Sequence, residues 1–285
     1  MDEFINLNKN SYKMIKLSIC IKMSITIGIT NIQKAEYFSA LFQHIRLFTE
    51  QINVMLESDR MYIQSMDSAR VSIFEIFIPS TWFDVYQHTD VGSTTIGLNS
   101  TTLFKILNTR DKLQEISIVF NEDDPDKLFL NLTCDNKSIF DKHFELPLLD
   151  LDYELMNIPH VESQAELSIS SANFASIINQ LKLFGDSLDI ECNEENILLT
   201  SVSQESGKML VKIDIDDLTS YAINEGENMK ISFSLNNLHN ICMYNKIAKE
   251  IEIHLTKNYP MKIIYNLGDD TKLVFYLAPK IDDSD

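Results

Sequence analysis

The chain has 285 residues, 45% of them hydrophobic and 23% charged, which excludes a disordered polypeptide and suffices for two ordinary domains. A net charge of −18 and a pI near 4.7 exclude a uniformly basic nucleic-acid binder. Contact with phosphates then requires cations gathered on one face.

Residues 1–22, MDEFINLNKNSYKMIKLSICIK, open on acids, and lysines interrupt each apolar run, so they lack the layout of a secretory signal. They read as an extension whose KLSICIK is either an added edge strand or disordered. No run of about 18 apolar residues follows anywhere, so no membrane-spanning helix is expected. The first domain is expected over residues 23–147. Apolar residues at i, i+3, i+4 and i+7 predict a helix over 34–47, and alternation predicts a strand over 71–78. A short helix over 100–108 and the strands ISIVF, LFLNL and FEL complete the unit. NEDDPD at 121–126 is acidic but lacks EF-hand spacing, and reads as a hairpin turn. Residues 148–164, LLDLDYELMNIPHVESQ, read as an extended connector rather than a Gly/Ser linker. The second domain, 165–281, has helices over 171–183 and 235–246, a strand over 208–215, and the strands IEIHL, KIIYNL and LVFYL; residues 282–285 form an acidic tail.

The two units are copies of one another. Phe38 to Asp67 aligns with Phe174 to Ser203 at an offset of 136 without a gap: Leu41 meets Ile177, Phe42 meets Ile178, Ile45 meets Leu181 and Phe48 meets Phe184. At an offset of 135, Ile116 and Ile118 meet Ile251 and Ile253, Pro125 meets Pro260, and Leu130-Asn131-Leu132 meets Tyr265-Asn266-Leu267. The expected class is α+β: a few helices laid on one face of antiparallel sheet.

No Gly-rich phosphate loop, GxSxG or HExxH is present, and His44, His88, His143, His160, His239 and His254 are scattered. Cys20, Cys134, Cys192 and Cys242 stand at no metal-ligand spacing and read as reduced thiols of an intracellular protein. The expectation is a non-enzymatic scaffold without metal or cofactor.

Three stretches carry a family resemblance. QSMDSARVSIFEI at 64–76, LLDLDYELMNIP at 148–159 and FYLAPKIDDSD at 275–285 resemble, in order and spacing, the PCNA family of DNA sliding clamps. The match covers residues 27–285. It implies a DNA clamp fold of two similar domains per chain, closed head to tail as a homotrimeric ring with helices inside and sheets outside. It also implies that Lys208–Asp214 pairs with residues 137–144 of the next subunit. The function implied is that of a DNA polymerase processivity factor for replication and repair, which encircles double-stranded DNA without base readout. The implied partners are DNA polymerase, a clamp loader and other proteins bearing a short clamp-binding peptide of the Gln-x-x-hydrophobic-x-x-aromatic-aromatic type.

Arg46 and Lys182, equivalent in the two copies, would face DNA together with Lys105 and Lys246. The segment from Gln87 to Asn108 matches the family's DNA-binding signature. Ser39, Ala40, Gln87, His88, Asn108, Ser176, Asn179, Asn236 and Met243 stand where the family is usually basic, so the lining is expected to be less positive than usual. Glu194 replaces a frequent ubiquitin-accepting lysine. The partner pocket would be formed by Met66, Arg70 and Val71, by Met156 and Ile158 of the connector, by Pro260, and by Tyr276, Leu277 and Ala278. A second reading is a clamp paralogue in a hetero-assembly, or a protein-binding scaffold with weak DNA contact. Rich use of Ile, Asn and Lys suits an AT-rich protist or large DNA virus, and the expected site of action is the nucleus or a viral replication compartment.

Overall fold

The computed structural model describes residues 23–88, 92–152 and 154–281; the expected N-terminal extension and acidic tail lie outside them. Local capping chemistry sets the helix starts. Asn31 accepts hydrogen bonds from the Gln33 and Lys34 amides and opens α1, Ile32–Gln43. Asn99, Ser170 and Ser234 cap α2 (Ser100–Leu107), α3 (Ser171–Leu181) and α4 (Leu235–Cys242) in the same way. The single helix expected over 34–47 is instead α1 followed by a tighter turn, Ile45–Leu47, and α4 ends four residues short of the expected 246. Both endings bring an apolar side chain, Ile45 or Tyr244, into the core.

Eighteen strands are present among the described residues. In the first copy they are β1 (Met23–Ile29), β2 (Gln51–Leu56), β3 (Arg60–Met66), β4 (Ser72–Pro79), β5 (Val85–His88), β6 (Thr94–Asn99), β7 (Glu115–Asn121), β8 (Lys127–Thr133) and β9 (Lys142–Pro147). In the second they are β10 (Ala165–Ser170), β11 (Ser187–Cys192), β12 (Asn196–Ser203), β13 (Gly207–Asp214), β14 (Ser220–Ile223), β15 (Met229–Ser234), β16 (Glu250–Leu255), β17 (Met261–Gly268) and β18 (Thr271–Leu277). Each copy therefore runs strand, helix, five strands, helix, three strands.

The pairing repeats as well. In each copy one strand set is ordered β5-β1-β7-β8-β9 or β14-β10-β16-β17-β18, and the other β4-β3-β2-β6 or β13-β12-β11-β15. The copies fuse where β18 pairs antiparallel with β4, Phe275 opposite Phe74, to make one nine-stranded sheet. The ladders also correct one detail of the repeat. Leu132 lies opposite Ile116 and Tyr265 opposite Ile251, so Leu132 is the counterpart of Tyr265, an offset of 133 in place of 135. A two-residue shift keeps every side chain on the same sheet face, which is why periodicity could not reveal it.

Alternation then sorts the faces. Phe74, Ile76, Ile263, Tyr265, Leu273 and Phe275 are buried toward the helices, while Ile73, Glu75, Lys262 and Tyr276 point outward. Aromatic rings pin the seam: Phe275 lies 5.1 Å from Phe48, 5.6 Å from Tyr244 and 6.2 Å from Phe74 between ring centroids. The helix pairs α1–α2 and α3–α4 meet there too, through His44 edge-on to Tyr244 at 5.3 Å. Phe275→Ala should cost about 3–5 kcal/mol of folding stability, read as a lower denaturation midpoint, because the ring contacts both copies and no neighbour can fill its volume.

Candidate functional site

Two surfaces carry the candidate residues. The first is the solvent face of the helices. Glu36 is the only acidic side chain in the four helices, although the whole chain carries a net charge of −18. Arg46 lies over the ring of Phe104 on α2, 4.2 Å from its centroid, and Lys105 follows on the same helix. Lys182 is the C-cap residue of α3, and Lys246 is exposed beyond α4. None of the four forms an ion pair with a described residue.

The structure places three of these cations beside two imidazoles, Arg46 and Lys246 at His44 and Lys182 at His239. His44 is held below its ordinary pKa by burial, then by Arg46 and Lys246. His239, whose Nδ1 lies 2.7 Å from Asn179 Oδ1, is lowered by burial and then by Lys182. Ser39, Ala40, Asn108, Ser176, Asn179, Asn236 and Met243 also sit on the helices or at their ends, so the face is neutral and polar between its cations. Gln87 and His88 lie apart from the helices, at the end of edge strand β5.

The second surface is a groove on the outer face of the nine-stranded sheet, roofed by the connector. The turn after β3 builds one end. The Asp67 carboxylate accepts hydrogen bonds from the Val71 and Ser72 amides at 2.8 and 3.0 Å, and its other oxygen accepts from Asn237 of the second copy. Arg70 completes the turn with a φ of 58°. Gln64, buried, clamps the connector by a reciprocal pair: its Nε2 donates to Met156 O at 3.0 Å, and its Oε1 accepts from the Met156 amide at 2.8 Å. The connector enters by crossing β6 at Gly97, where an added Cβ would stand 2.2 Å from Leu149 O, so a side chain is excluded. Residues 157–163, in neither helix nor strand, then pass along a cavity of about 590 Å³.

Ile73, Asn157, Ile158, Pro159, Val161, Tyr259, Pro260, Lys262 and Tyr276 line the cavity, with His160, Glu162, Ser163, Glu166, His254 and Thr256 at its polar end. Of the residues expected in a pocket, Ile158, Pro260 and Tyr276 line it directly. Met66 flanks it opposite Ile73, and Met156 is held to Gln64. Arg70, Val71 and Ala278 lie beside it, with the Ala278 amide donating to Val71 O at 2.9 Å. Leu277 is a correction: it is fully buried on the helix side, because alternation turns it away from Tyr276. Glu75 on β4 accepts from Tyr62 and Tyr276 hydroxyls at 2.5 and 3.1 Å, and burial with this carboxylate pushes the Tyr276 hydroxyl well above its ordinary pKa. Ile73, two positions beyond Val71 in an alternating strand, was reachable from sequence. Lys262 and His254 were not, because only the strand register brings them under the connector.

Two repeats joined into one sheet beneath paired helices are the architecture of a DNA sliding clamp, and the similarity to known proteins makes the chain a polymerase processivity factor of that class, with DNA and replication proteins as partners. The family models "Proliferating cell nuclear antigen, N-terminal domain" and "C-terminal domain" match residues 30–155 and 157–280, and the chain belongs to this family. It is 25% identical over 258 residues to the proliferating cell nuclear antigen of Chaetomium thermophilum, covering 89% of this chain and 98% of that protein. The fold resembles the crystal structure of the Entamoeba histolytica protein of the same name, with a TM-score of 0.81 at 23% identity over 91% of this chain and 100% of that one.

Gln64→Ala should raise hydrogen exchange at Met156 and lower stability by about 1–3 kcal/mol, since a reciprocal buried pair is lost. His44 has a folded-state pKa below its unfolded one, so below about 6.5 the unfolded chain binds the proton more readily and stability falls. Replacing His44→Gln should flatten that part of the stability–pH profile.

Proposed function

We propose that three copies close head to tail into a homotrimeric ring around double-stranded DNA and tether DNA polymerase and other replication and repair proteins to it. The carrying observation is topological. β18 and β4 pair within the chain, while their counterparts β9 and β13 are edge strands with no second neighbour among the described residues. An unpaired strand edge is a template for another chain. Joining β9 of one copy to β13 of the next repeats the internal seam and leaves no edge of this type open, which is heterologous, ring-closing contact.

The strand ladders supply the register. Phe144 is the counterpart of Phe275 and Met209 that of Phe74, so Phe144 should face Met209. Glu145 then stands opposite Lys208, and Asp141 opposite Lys212. This agrees with the expected pairing of Lys208–Asp214 with residues 137–144, and it would cover Phe140, which is 83% exposed in the single chain.

Arg46, Lys105, Lys182 and Lys246 are the proposed DNA-facing cations, acting on phosphates without base readout. The groove under the connector is the proposed docking site for short peptides of the polymerase, the clamp loader and other partners. Met66, Arg70, Val71, Met156 and Ala278 act at its border and Ile73, Ile158, Pro260 and Tyr276 in its wall. The proposed domains are residues 23–147 and 165–281, joined by 148–164. The ring performs no covalent chemistry and works in the nucleus, or in a viral replication compartment.

Light scattering at micromolar and nanomolar concentration should give a mass near three chains. Glu145→Lys should weaken assembly by about 0.5–1 kcal/mol per contact, and adding Lys208→Glu should restore it, because opposed like charges become a pair again. A monomer at both concentrations would sink the ring and favour a hetero-assembly. Charge reversal at Arg46, Lys105 and Lys182 should lower DNA affinity and flatten its salt dependence while the mass stays trimeric.

A further inference from the structure

The antiparallel register lays a single row of outward side chains across six strands of the large sheet. From β10 to β3 it reads Glu166, His254, Lys262, Tyr276, Ile73 and Met66, each directly opposite the next. The first five line the groove. One end is apolar, the other ionic, and Lys262 stands at the change.

The ionic end is mostly satisfied within itself. His254 Nδ1 lies 3.2 Å from Glu166 and 3.0 Å from Ser163 Oγ, and its Nε2 lies 3.9 Å from Glu252. Glu162 is exposed at the margin. Lys262 is different. It is half-buried, its ammonium lies 6.0 Å from the centroid of the Tyr276 ring, and it forms no ion pair with a described residue. Tyr276 cannot neutralise it, because its hydroxyl donates to Glu75 and stays protonated.

The roof indicates what kind of molecule fits. Apart from the Met156 clamp, the backbone groups of residues 157–161 form no hydrogen bond with a described residue. An extended peptide can satisfy such groups while its apolar side chains enter the wall of Ile73, Ile158, Pro260 and Tyr276.

We infer that Lys262 is a specificity-determining residue of the groove, pairing with a carboxylate that the docked peptide carries beside its apolar anchors. The inference rests on reading the groove as a peptide-docking site. An ammonium partly shielded from water and lying beside an aromatic ring gains from a carboxylate through a charge-assisted hydrogen bond, and a neutral amide cannot replace that gain. The groove therefore selects acidic apolar segments over neutral ones.

The test uses the full chain and two synthetic fluorescent peptides of the Gln-x-x-Ile-x-x-Phe-Phe type, one with Asp on both sides of the aromatic pair and one with Asn there. Fluorescence anisotropy at low salt should show the Asp peptide binding about five- to tenfold tighter, with the ratio shrinking as salt rises. Lys262→Met should bring the ratio near one while keeping the affinity of the Asn peptide, and Lys262→Glu should invert it. Equal binding of both peptides to the wild type, or a ratio that persists in Lys262→Met, overturns the role of Lys262 and leaves the docking site standing. No binding of either peptide to the wild type overturns the docking site and the inference with it. Lys262 points outward from the sheet, so an unchanged mass and denaturation midpoint confirm that each variant is folded.

Discussion

The hydrogen bonding of β18 to β4 is the contact on which the rest of the molecule depends. It joins strands some 200 residues apart in sequence and turns two half-sheets into one. Everything else of interest is arranged across that seam. Phe48, Phe74, Tyr244 and Phe275 bury their rings beneath it, His44 and Tyr244 join the two helix pairs, and Asp67 reaches Asn237. On the outer side the same seam places Tyr276 beside Ile73, and so creates the floor of the groove. A seam of this kind has a direct structural cost for a single chain. Because the copies are alike, pairing one end with one start leaves the other end, β9, and the other start, β13, as sheet edges among the described residues, and the proposed ring would close them against a further copy.

Charge is distributed with the same economy. An acidic chain repels polyanions at long range, and its helices could not approach phosphate if the acids were evenly spread. The helices instead carry almost none. Their exposed positions are filled by Ser176, Asn179, Gln180, Asn236 and similar neutral groups, and Arg46, Lys182 and Lys246 stand near imidazoles. On the proposed DNA-facing reading, a surface of this composition would attract phosphates weakly and hold none of them in a fixed geometry, which suits a clamp that slides. Arg46 is the partial exception, since its guanidinium rests on Phe104 and keeps a preferred direction. The equivalent place in the second copy pairs Lys182 with His239, so the two halves of the surface are alike in position and unlike in chemistry.

The QSMD motif acquires a physical meaning in the fold. Gln64 fastens the connector from below, Met66 flanks the groove, and Asp67 closes the turn with one oxygen while tying the two copies with the other. Gln64, Met66 and Asp67 each answer a different geometric demand, while the flanking strand needs only alternation. The connector depends on the same economy at its other end, where Gly97 lets the backbone cross at contact distance.

Much of this was legible in the sequence. Heptad-like and alternating spacing located the helices and most strands, the internal offset showed two copies of one unit, and the equivalence of Arg46 and Lys182 followed from that offset. These features are local: they depend on which face of a helix or strand a residue occupies, and periodicity records that directly. The register was not legible. A slip of two residues leaves every apolar side chain on its proper face, so the offset of 135 looked satisfactory where hydrogen bonding requires 133. Leu277 was expected in the pocket because it lies between two residues that reach it, yet alternation sends it inward. Lys262 and His254 carried no local sign at all. Their place in the groove comes from strands drawn together over long separations, and that choice belongs to the burial of the whole sheet rather than to any segment of it.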